Sequence, residues 1–252
     1  MRTREKSIWR LAAGVVLLAG VLLLGGKPAQ AAEITVKTAD SAPILQATEP
    51  DTVCISHISN QKRWIVLRHT GLDREAPDGK TVARYVYLRR AKGQKNYHVI
   101  GQYVLNQKEQ SMGSKLDYAV RDVNAQNGSL YRYRVGILFT DGSEGLSKTV
   151  RMCRLTRPTV CKTTSKHCGS MGIWWQPNQK ADGYYLYYGT SEKELYAETN
   201  YKRVKSGSKN KTTLCHLQEG QKYYFYLKAY KDVGGQRYYS TRSKIVSAVI
   251  RK

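Results

Sequence analysis

Apolar and polar residues alternate with a period of two over many short stretches of this chain. The alternation is clearest between residues 217 and 229, where Leu217 is followed by a glycine, Gly220, and then by a longer run. Every second residue of that run is apolar or aromatic: Tyr223, Phe225, Leu227 and Ala229. Because successive side chains of a strand point to opposite faces, the run predicts a β-strand with one face on a core.

The same order of segments occurs twice, and each copy opens on Thr-Val-Cys, at residues 52–54 and 159–161. Three predicted strands then follow in each copy: an alternating strand, a tyrosine-rich strand and a strand that begins with tyrosine. They lie at residues 65–67, 83–90 and 131–139 in the first copy and at residues 171–175, 183–190 and 223–230 in the second. Turn-forming residues separate them, and no stretch shows a convincing helical period. The pattern predicts two all-β domains of about a hundred residues each, over 51–157 and 158–252.

The N-terminal segment predicts the compartment. Residues 1–10 carry four basic residues and one acid, residues 11–26 are almost wholly apolar, and Ala29-Gln30-Ala31 follows them closely. This is the plan of a signal peptide over residues 1–31, with an uncleaved membrane anchor as the alternative. Residues 32–50 are polar and contain prolines, so we expect a flexible tether there. The rest of the chain is expected to be secreted and extracellular, or associated with the cell surface.

The charge of the chain predicts its class of partner. The net charge is +23, and without the predicted leader 37 basic and 18 acidic residues leave +19, shared by both halves. A field of this sign favours polyanions, which outside a cell are wall polymers, acidic glycans, anionic lipid surfaces and released nucleic acid. The alternative is that the charge only keeps the protein soluble, since no run of five consecutive basic residues occurs.

Motifs for catalysis are missing from the sequence. It contains no G-x-S-x-G, H-E-x-x-H, phosphate-binding loop or dinucleotide fingerprint, and we expect no enzyme and no cofactor. The one acidic cluster, Glu192, Glu194 and Glu198, is interpreted as a solvated loop. Two Cys/His pairs, at residues 167–168 and 215–216, could suggest zinc. Neighbouring residues of a strand face opposite sides, however, and we expect no metal site.

Four motifs of the second copy resemble the fibronectin type III family. They are Trp175, Gly183-Tyr184-x-Leu186, the run from Leu217 through Gly220 and Tyr223 to Ala229, and Tyr239-Ser240-x-x-Ser243. The first copy departs from the family pattern, because His69 stands where the core tryptophan is expected and residues 70–81 form a longer loop. The resemblance implies two tandem seven-stranded antiparallel sandwiches of the immunoglobulin-like class, used for adhesion, spacing or binding. It also implies that Tyr223 bonds back to the chain upstream.

Under this resemblance the cysteines can be placed. Their number is five, so at least one remains unpaired or bonds to another chain. The family topology makes the strands near Cys168 and Cys215 antiparallel neighbours whose ends share a pole, which favours a Cys168–Cys215 disulfide. A bridge from Cys161 to Cys168 across the first hairpin is the alternative, and pairing of Cys54 with Cys153 is less favoured.

The resemblance also places a band of tyrosines on the outer face of one sheet, flanked by cations. The band consists of Tyr185, Tyr187, Tyr224, Tyr226 and Tyr230, with Lys222, Lys228 and Arg237 beside it. Aromatic rings with cationic donors suit sugar rings, phosphate-bearing polymers or unpaired bases, so we expect a ligand-binding face there. The alternative is that cross-strand tyrosines only stabilise the sheet.

These patterns together predict a secreted, non-enzymatic binding or adhesion module. Its expected partner is an anionic cell-wall polymer, an acidic glycan or an extracellular protein at the cell envelope or matrix, with nucleic acid bound only non-specifically. The alternative is a structural spacer or an accessory subunit of another extracellular protein.

The predicted leader can be tested directly. Cleavage after Ala31 would leave an N-terminus at Ala32 or Glu33, because small residues precede the cut. N-terminal sequencing of the exported protein is expected to start at one of these two residues. An intact Met1 in the membrane fraction would contradict the prediction.

Overall fold

A computed structural model describes residues 55–70, 80–111 and 117–252 of the chain. The predicted leader, the predicted tether and Cys54 lie outside the described residues. Within the described ranges there is no helix with the length and apolar character that crossing a membrane requires.

The first half of the described chain forms two antiparallel sheets. Its elements are β1 (Ile55–Asn60), β2 (Ile65–Thr70), β3 (Val82–Ala91), β4 (His98–Val104), α1 (Gln107–Ser111), β5 (Asp117–Asp122), β6 (Leu130–Phe139), β7 (Glu144–Leu146) and β8 (Val150–Cys153). One sheet has the order β1-β2-β5. The other has the order β4-β3-β6-β7, and β8 also pairs with β6.

The second half repeats this arrangement. Its elements are β9 (Thr159–Thr164), β10 (Met171–Gln176), β11 (Gly183–Gly189), α2 (Glu192–Ala197), β12 (Tyr201–Val204), β13 (Lys211–Leu214), β14 (Lys222–Val233), β15 (Gln236–Tyr239) and β16 (Val246–Val249). One sheet has the order β13-β10-β9. The other has the order β12-β11-β14-β15, and β16 also pairs with β14.

In each half a three-stranded sheet lies opposite a larger one, and the final strand is interrupted, so that two short pieces pair with the same neighbour. This is the strand arrangement of a fibronectin type III sandwich, occurring twice in tandem, and it confirms the predicted all-β fold class. Strand β8 ends at Cys153 and β9 begins at Thr159, on either side of the expected junction. The domain boundary between residues 157 and 158 stays a prediction.

Each sandwich has a hydrophobic core, and Leu130 and Cys153 of the first half belong to the core of the second. The second core contains Trp175, whose ring centroid lies 5.1 Å from that of Tyr184, as the alternation predicts. In the first core His69 is fully buried in place of the tryptophan. Its Nε2 lies 3.0 Å from the Tyr87 hydroxyl, and its ring stacks on Tyr118 with centroids 5.2 Å apart. His69 therefore packs inside the first sandwich at the position where the family has a tryptophan.

A tyrosine fixes the turn before the longest strand in both sandwiches. The backbone N–H of Gln218 donates to the Tyr223 hydroxyl over 3.3 Å, and the N–H of Gln126 donates to the Tyr131 hydroxyl over 2.9 Å. In both cases the donor lies five residues upstream of the tyrosine. Gly220 has a φ of +73° in this turn, a conformation that favours glycine. The expected bond from Tyr223 to the upstream chain is confirmed.

Serines bridge the interruption between β15 and β16. The N–H of Ala229 donates to Ser240 Oγ over 2.9 Å, and the N–H of Leu227 donates to Ser243 Oγ over 3.0 Å. The serine N–H groups donate in return to the carbonyls of the same two residues of β14. Buried backbone groups need partners, so the two hydroxyls replace ladder bonds that a regular strand would supply. Ser147 does the same for Val135 in the first sandwich.

Asn60 ties the two sandwiches together. Its side chain is buried, and Nδ2 donates to the carbonyl of Cys153 over 2.8 Å and to that of Tyr239 over 2.9 Å. Its Oδ1 accepts from the N–H of Leu155 over 3.1 Å. Arg154 is also buried and donates to the carbonyl of Leu155 over 2.7 Å. Asn60 therefore joins β1 to the segment after β8 and to β15 of the second sandwich.

The two turn tyrosines differ in burial, which gives a prediction. Tyr131 is buried and its bond is short, whereas Tyr223 is partly exposed and its bond is longer. Tyr131→Phe is expected to lower the free energy of unfolding by about 1 to 3 kcal/mol. Tyr223→Phe is expected to cost about 1 kcal/mol or less, because water can reach the Gln218 N–H. Urea denaturation of the two variants measures both values. A larger loss for Tyr223→Phe than for Tyr131→Phe would contradict this account.

Candidate ligand-binding surface

The predicted tyrosine band lies on the outer face of the five-stranded sheet of the second sandwich. In the register of β11 and β14, Tyr187 pairs with Tyr226 and Tyr185 pairs with Lys228. The residues between them, Leu186 and Leu227, belong to the core on the other face. The orientation of the band is therefore the expected one.

The expected exposure of the band is wrong. The exposed fractions are only 9% for Tyr185, 7% for Tyr187, 1% for Tyr226 and 2% for Tyr230, and Tyr224 is half-buried. Together with Leu195 and Ile245, these tyrosines form a second hydrophobic cluster on the outer face. Their replacement by smaller residues would remove packed side chains and not only a binding surface.

Helix α2 covers part of the band. Ser191 caps the helix, since its side chain accepts from the N–H of Glu194, and Leu195 on the first turn is fully buried against the tyrosines. The helix ends at Glu198, which has a left-handed backbone with φ 55°. The interpretation of Glu192 to Glu198 as a solvated loop was therefore wrong. Six residues are too few to show a helical period in the sequence, and packing on the sheet supplies the missing stability.

Glu198 and Lys228 close one end of the cluster. The Glu198 carboxylate forms an ion pair with Lys228 and accepts a hydrogen bond from the Tyr226 hydroxyl. Burial raises the pKa of Glu198, but the bonds from Lys228 and Tyr226 lower it by more, so this pKa lies below its ordinary value. Burial raises the pKa of Tyr226, and the bond to Glu198 adds to the rise. Lys228 Nζ also lies 5.4 Å from the ring centroid of Tyr187.

Arg237 closes the other end. Its guanidinium forms two bonds of 2.7 Å with Asp232 and donates to the Tyr185 hydroxyl over 2.7 Å. It also lies 4.5 Å from the ring centroid of Tyr230. The third predicted cation, Lys222, lies 5.3 Å from the ring of Tyr224. All three predicted cations thus contact the tyrosines. Of these, Lys228 forms an ion pair with Glu198, and Arg237 forms one with Asp232.

Two further tyrosines on this face remain exposed. Tyr201 on β12 is 53% exposed and Tyr239 on β15 is 40% exposed, and their ring centroids lie 5.1 and 5.9 Å from that of Tyr185. Arg203 lies beside them, donates to the Tyr230 hydroxyl over 3.2 Å and takes part in none of the five ion pairs of the described residues. The sequence did not single out Tyr201 or Arg203, because β12 is too short to show an alternation.

An acid-free region includes the three-stranded sheet and the adjoining edge strand β12. Residues 159–181 and 199–218 contain no aspartate or glutamate and eight basic residues, and they include β9, β10, β12 and β13. Five of these cations lie on the edge strands β12 and β13 or in the loop between them, and we name them the basic edge: Lys202, Arg203, Lys205, Lys209 and Lys211. Lys202 Nζ donates to the carbonyl of Thr213 over 2.6 Å and so links the two edges.

The excess of positive charge belongs to the described part of the chain. Those residues include 34 basic and 11 acidic side chains, whereas the rest of the sequence carries eight of each. With so few acids, at least 23 of the described cations have no carboxylate of their own to pair with. None of the five ion pairs of the described residues includes a cation of the basic edge.

The four described cysteines are free thiols. Cys161, Cys168 and Cys215 are exposed, and the pairing of Met171 with Leu214 brings the ends near Cys168 and Cys215 to one pole, as expected. If that register is continued by one residue, Ser170 and not Cys168 lies opposite Cys215. Neither the Cys168–Cys215 nor the Cys161–Cys168 bridge is formed here, and both stay predictions. Burial raises the pKa of the Cys153 thiol to about 11.

Among the described residues no group of three His, Cys, Asp or Glu side chains could hold a metal ion.

Neither a family model nor a curated protein sequence matches the chain. The solved structures that align with it include a crystal structure of the FN1–FN3 domains of chicken CNTN1, at 18% identity and a TM-score of 0.32. That alignment covers 79% of this chain and 64% of the other, so the chain spans less than two thirds of that structure's length. The fold assignment rests on the strand order and register described above.

The buried band and its exposed rim respond differently to substitution. Tyr226→Ser is expected to lower the free energy of unfolding by about 3 to 5 kcal/mol, because it leaves a cavity under α2. Tyr201→Ser is the matched control and is expected to cost about 1 kcal/mol or less, because its ring is mostly in water. Urea denaturation measures both. Equal losses, or a small loss for Tyr226→Ser, would mean that the outer cluster is not a packed part of the fold.

Proposed function

We propose that this protein is a non-enzymatic binding module that attaches to anionic polymers at the cell envelope or in the matrix. The observation that carries the proposal is the basic edge, where five cations within residues 201–211 have no acid among them. Charges of one sign on adjacent strands repel one another, and a polyanion lying along the edge would relieve that repulsion. A wall polymer, an acidic glycan or an acidic extracellular protein supplies such charge.

Edge protection alone does not account for the basic edge. Lysines on edge strands keep sheets from pairing with other chains, so some positive charge on β12 and β13 is useful for that reason. In the first sandwich, however, β4 occupies the edge position that corresponds to β12, and its sequence HVIGQYV contains no lysine or arginine. The fold can therefore be built without cations on this edge, which supports a role for them in binding.

The outer tyrosine face has a smaller part in this proposal than the sequence suggested. Its central rings are buried, and its cations Lys228 and Arg237 are neutralised by Glu198 and Asp232. Its accessible groups include Lys222 and the rim residues Tyr201, Tyr239 and Arg203. Because Arg203 also belongs to the basic edge, the rim can extend the binding surface on one side.

A structural spacer is the second candidate function. The hydrogen bonds of Asn60 to Cys153 and Tyr239 favour it, since a junction with buried polar contacts holds two sandwiches in a fixed arrangement. This role is compatible with binding, because a fixed arrangement also sets the direction in which the basic edge faces.

Retention on immobilised polyanions tests the proposal. The native chain is expected to bind both polygalacturonate and polyphosphate and to elute with salt, because exposed charges are screened over about 10 Å at 0.1 M. Replacing Lys205, Lys209 and Lys211 together by glutamine is expected to lower the eluting salt concentration on both, since the ion contacts of the basic edge are lost.

The matched control replaces three exposed lysines of the first sandwich, Lys92, Lys95 and Lys148, by glutamine. It removes the same charge and is expected to shift elution much less. Equal shifts in the eluting salt concentration for the two triple variants would show that retention depends on total charge and not on one particular surface. No retention of the native chain on either polymer would favour the spacer.

A further inference from the structure

Trp174 lies on the outer face of the three-stranded sheet of the second sandwich. Its neighbours on β10, Ile173 and Trp175, point into the core, so Trp174 and Gly172 point outward on the same face. Trp174 is nevertheless half-buried. A tryptophan in such a place needs a physical explanation.

Gly172 supplies the surface on which the indole lies. A Cβ atom at residue 172 would come within 2.6 Å of Cη2 and 2.7 Å of Cζ3 of Trp174, so the six-membered ring rests against the glycine backbone. Only glycine leaves room for this. The ring therefore lies against the sheet at residue 172, and because Trp174 is only half-buried, part of the indole stays exposed. The ring is held in place before any ligand arrives, which lowers the entropic cost of binding.

Two lysines flank the ring. Trp174 pairs with Lys162 on β9 and with Lys211 on β13, so the three side chains form one row across the outer face. Both lysines are exposed, and Lys162 Nζ lies 5.9 Å from the ring centroid, at the outer limit of a cation–π contact. The strands β9, β10 and β13 contain no acid to neutralise them. The row thus offers a flat aromatic ring between two available ammonium groups.

We propose that Trp174 is the stacking platform for a sugar ring of an acidic polysaccharide, with Lys162 and Lys211 receiving its carboxylates or sulfates. The C–H face of a pyranose carries partial positive charge and matches the negative face of the indole. Anionic groups at the edge of the sugar would meet a lysine on either side. This inference rests on the proposed function and narrows its ligand to a polymer of sugars, because a chain of phosphates alone has no ring to stack.

Trp64 provides an internal control. It is also half-buried and precedes β2 of the first sandwich, but the guanidinium of Arg121 lies 5.0 Å from its ring centroid. Asp117 and Asp122 belong to the neighbouring strand β5. The planar arginine already stacks on this ring, and the surroundings are not free of acid, so Trp64 is not expected to bind a sugar.

The experiment compares Trp174→Ala, Gly172→Ala and Trp64→Ala on polygalacturonate and on polyphosphate, two linear polymers with one charge per unit in the chain. Trp174→Ala is expected to weaken binding of polygalacturonate about tenfold and to leave polyphosphate within about twofold, as loss of one aromatic contact would. Gly172→Ala keeps the indole but displaces it, and it is expected to act in the same direction. Trp64→Ala is expected to change neither.

A second measurement does not depend on those variants folding well. In Trp64→Phe, polygalacturonate is expected to change the tryptophan emission of the folded protein, and polyphosphate is expected to change it much less. Adding Trp174→Phe is expected to abolish that change.

Three results would overturn the inference: equal weakening of both polymers by Trp174→Ala, no weakening of either, or an emission change that survives Trp174→Phe. Each of these leaves the proposed function in place if the native chain still binds both polymers. Failure of the native chain to bind either one would overturn the proposed function itself.

Discussion

Strands β11 and β14, at the centre of the larger sheet in the second sandwich, are buried on both faces. This burial decides which groups of the sheet remain exposed. The inner face packs on Trp175 and the rest of the core, while the outer face carries tyrosines that α2 and three cations cover. A tyrosine suits this place because its ring packs while its hydroxyl finds a charged partner, as Tyr226 does with Glu198. The aromatic face is thereby used to stabilise the sheet, and binding chemistry is left to other surfaces.

The distribution of acids decides which surfaces those are. The acids that contact the tyrosine cluster, Glu198 and Asp232, form ion pairs with Lys228 and Arg237. The basic edge and the outer face of β9, β10 and β13 have no acid at all. The basic edge lies on the side of the second sandwich where β12 and β13 meet. Trp174 adds an aromatic group to that side.

Local motifs were predicted well where a few nearby residues set the geometry. Tyr223 accepts a bond from five residues upstream, Gly220 takes a positive φ, and His69 is buried where the core tryptophan was missing. The exposure of Tyr185 and Tyr187 was predicted wrongly, because their cover comes from α2 and from β15. The role of Gly172 was not predicted, since a glycine in a strand does not reveal that the ring of Trp174, two residues further along, lies against its backbone.

The sequence by itself determined the longer alternating strands, their inward residues, the tandem repeat and the excess of positive charge. A period of two is a property of consecutive residues, so it shows which side chains share a face of a strand. It contains no information about what packs on that face. Only the tertiary structure decided that the tyrosine band is covered, that the cations of β12 and β13 form one edge, and that Trp174 lies between Lys162 and Lys211. Each depends on pairing between strands that are distant in the chain.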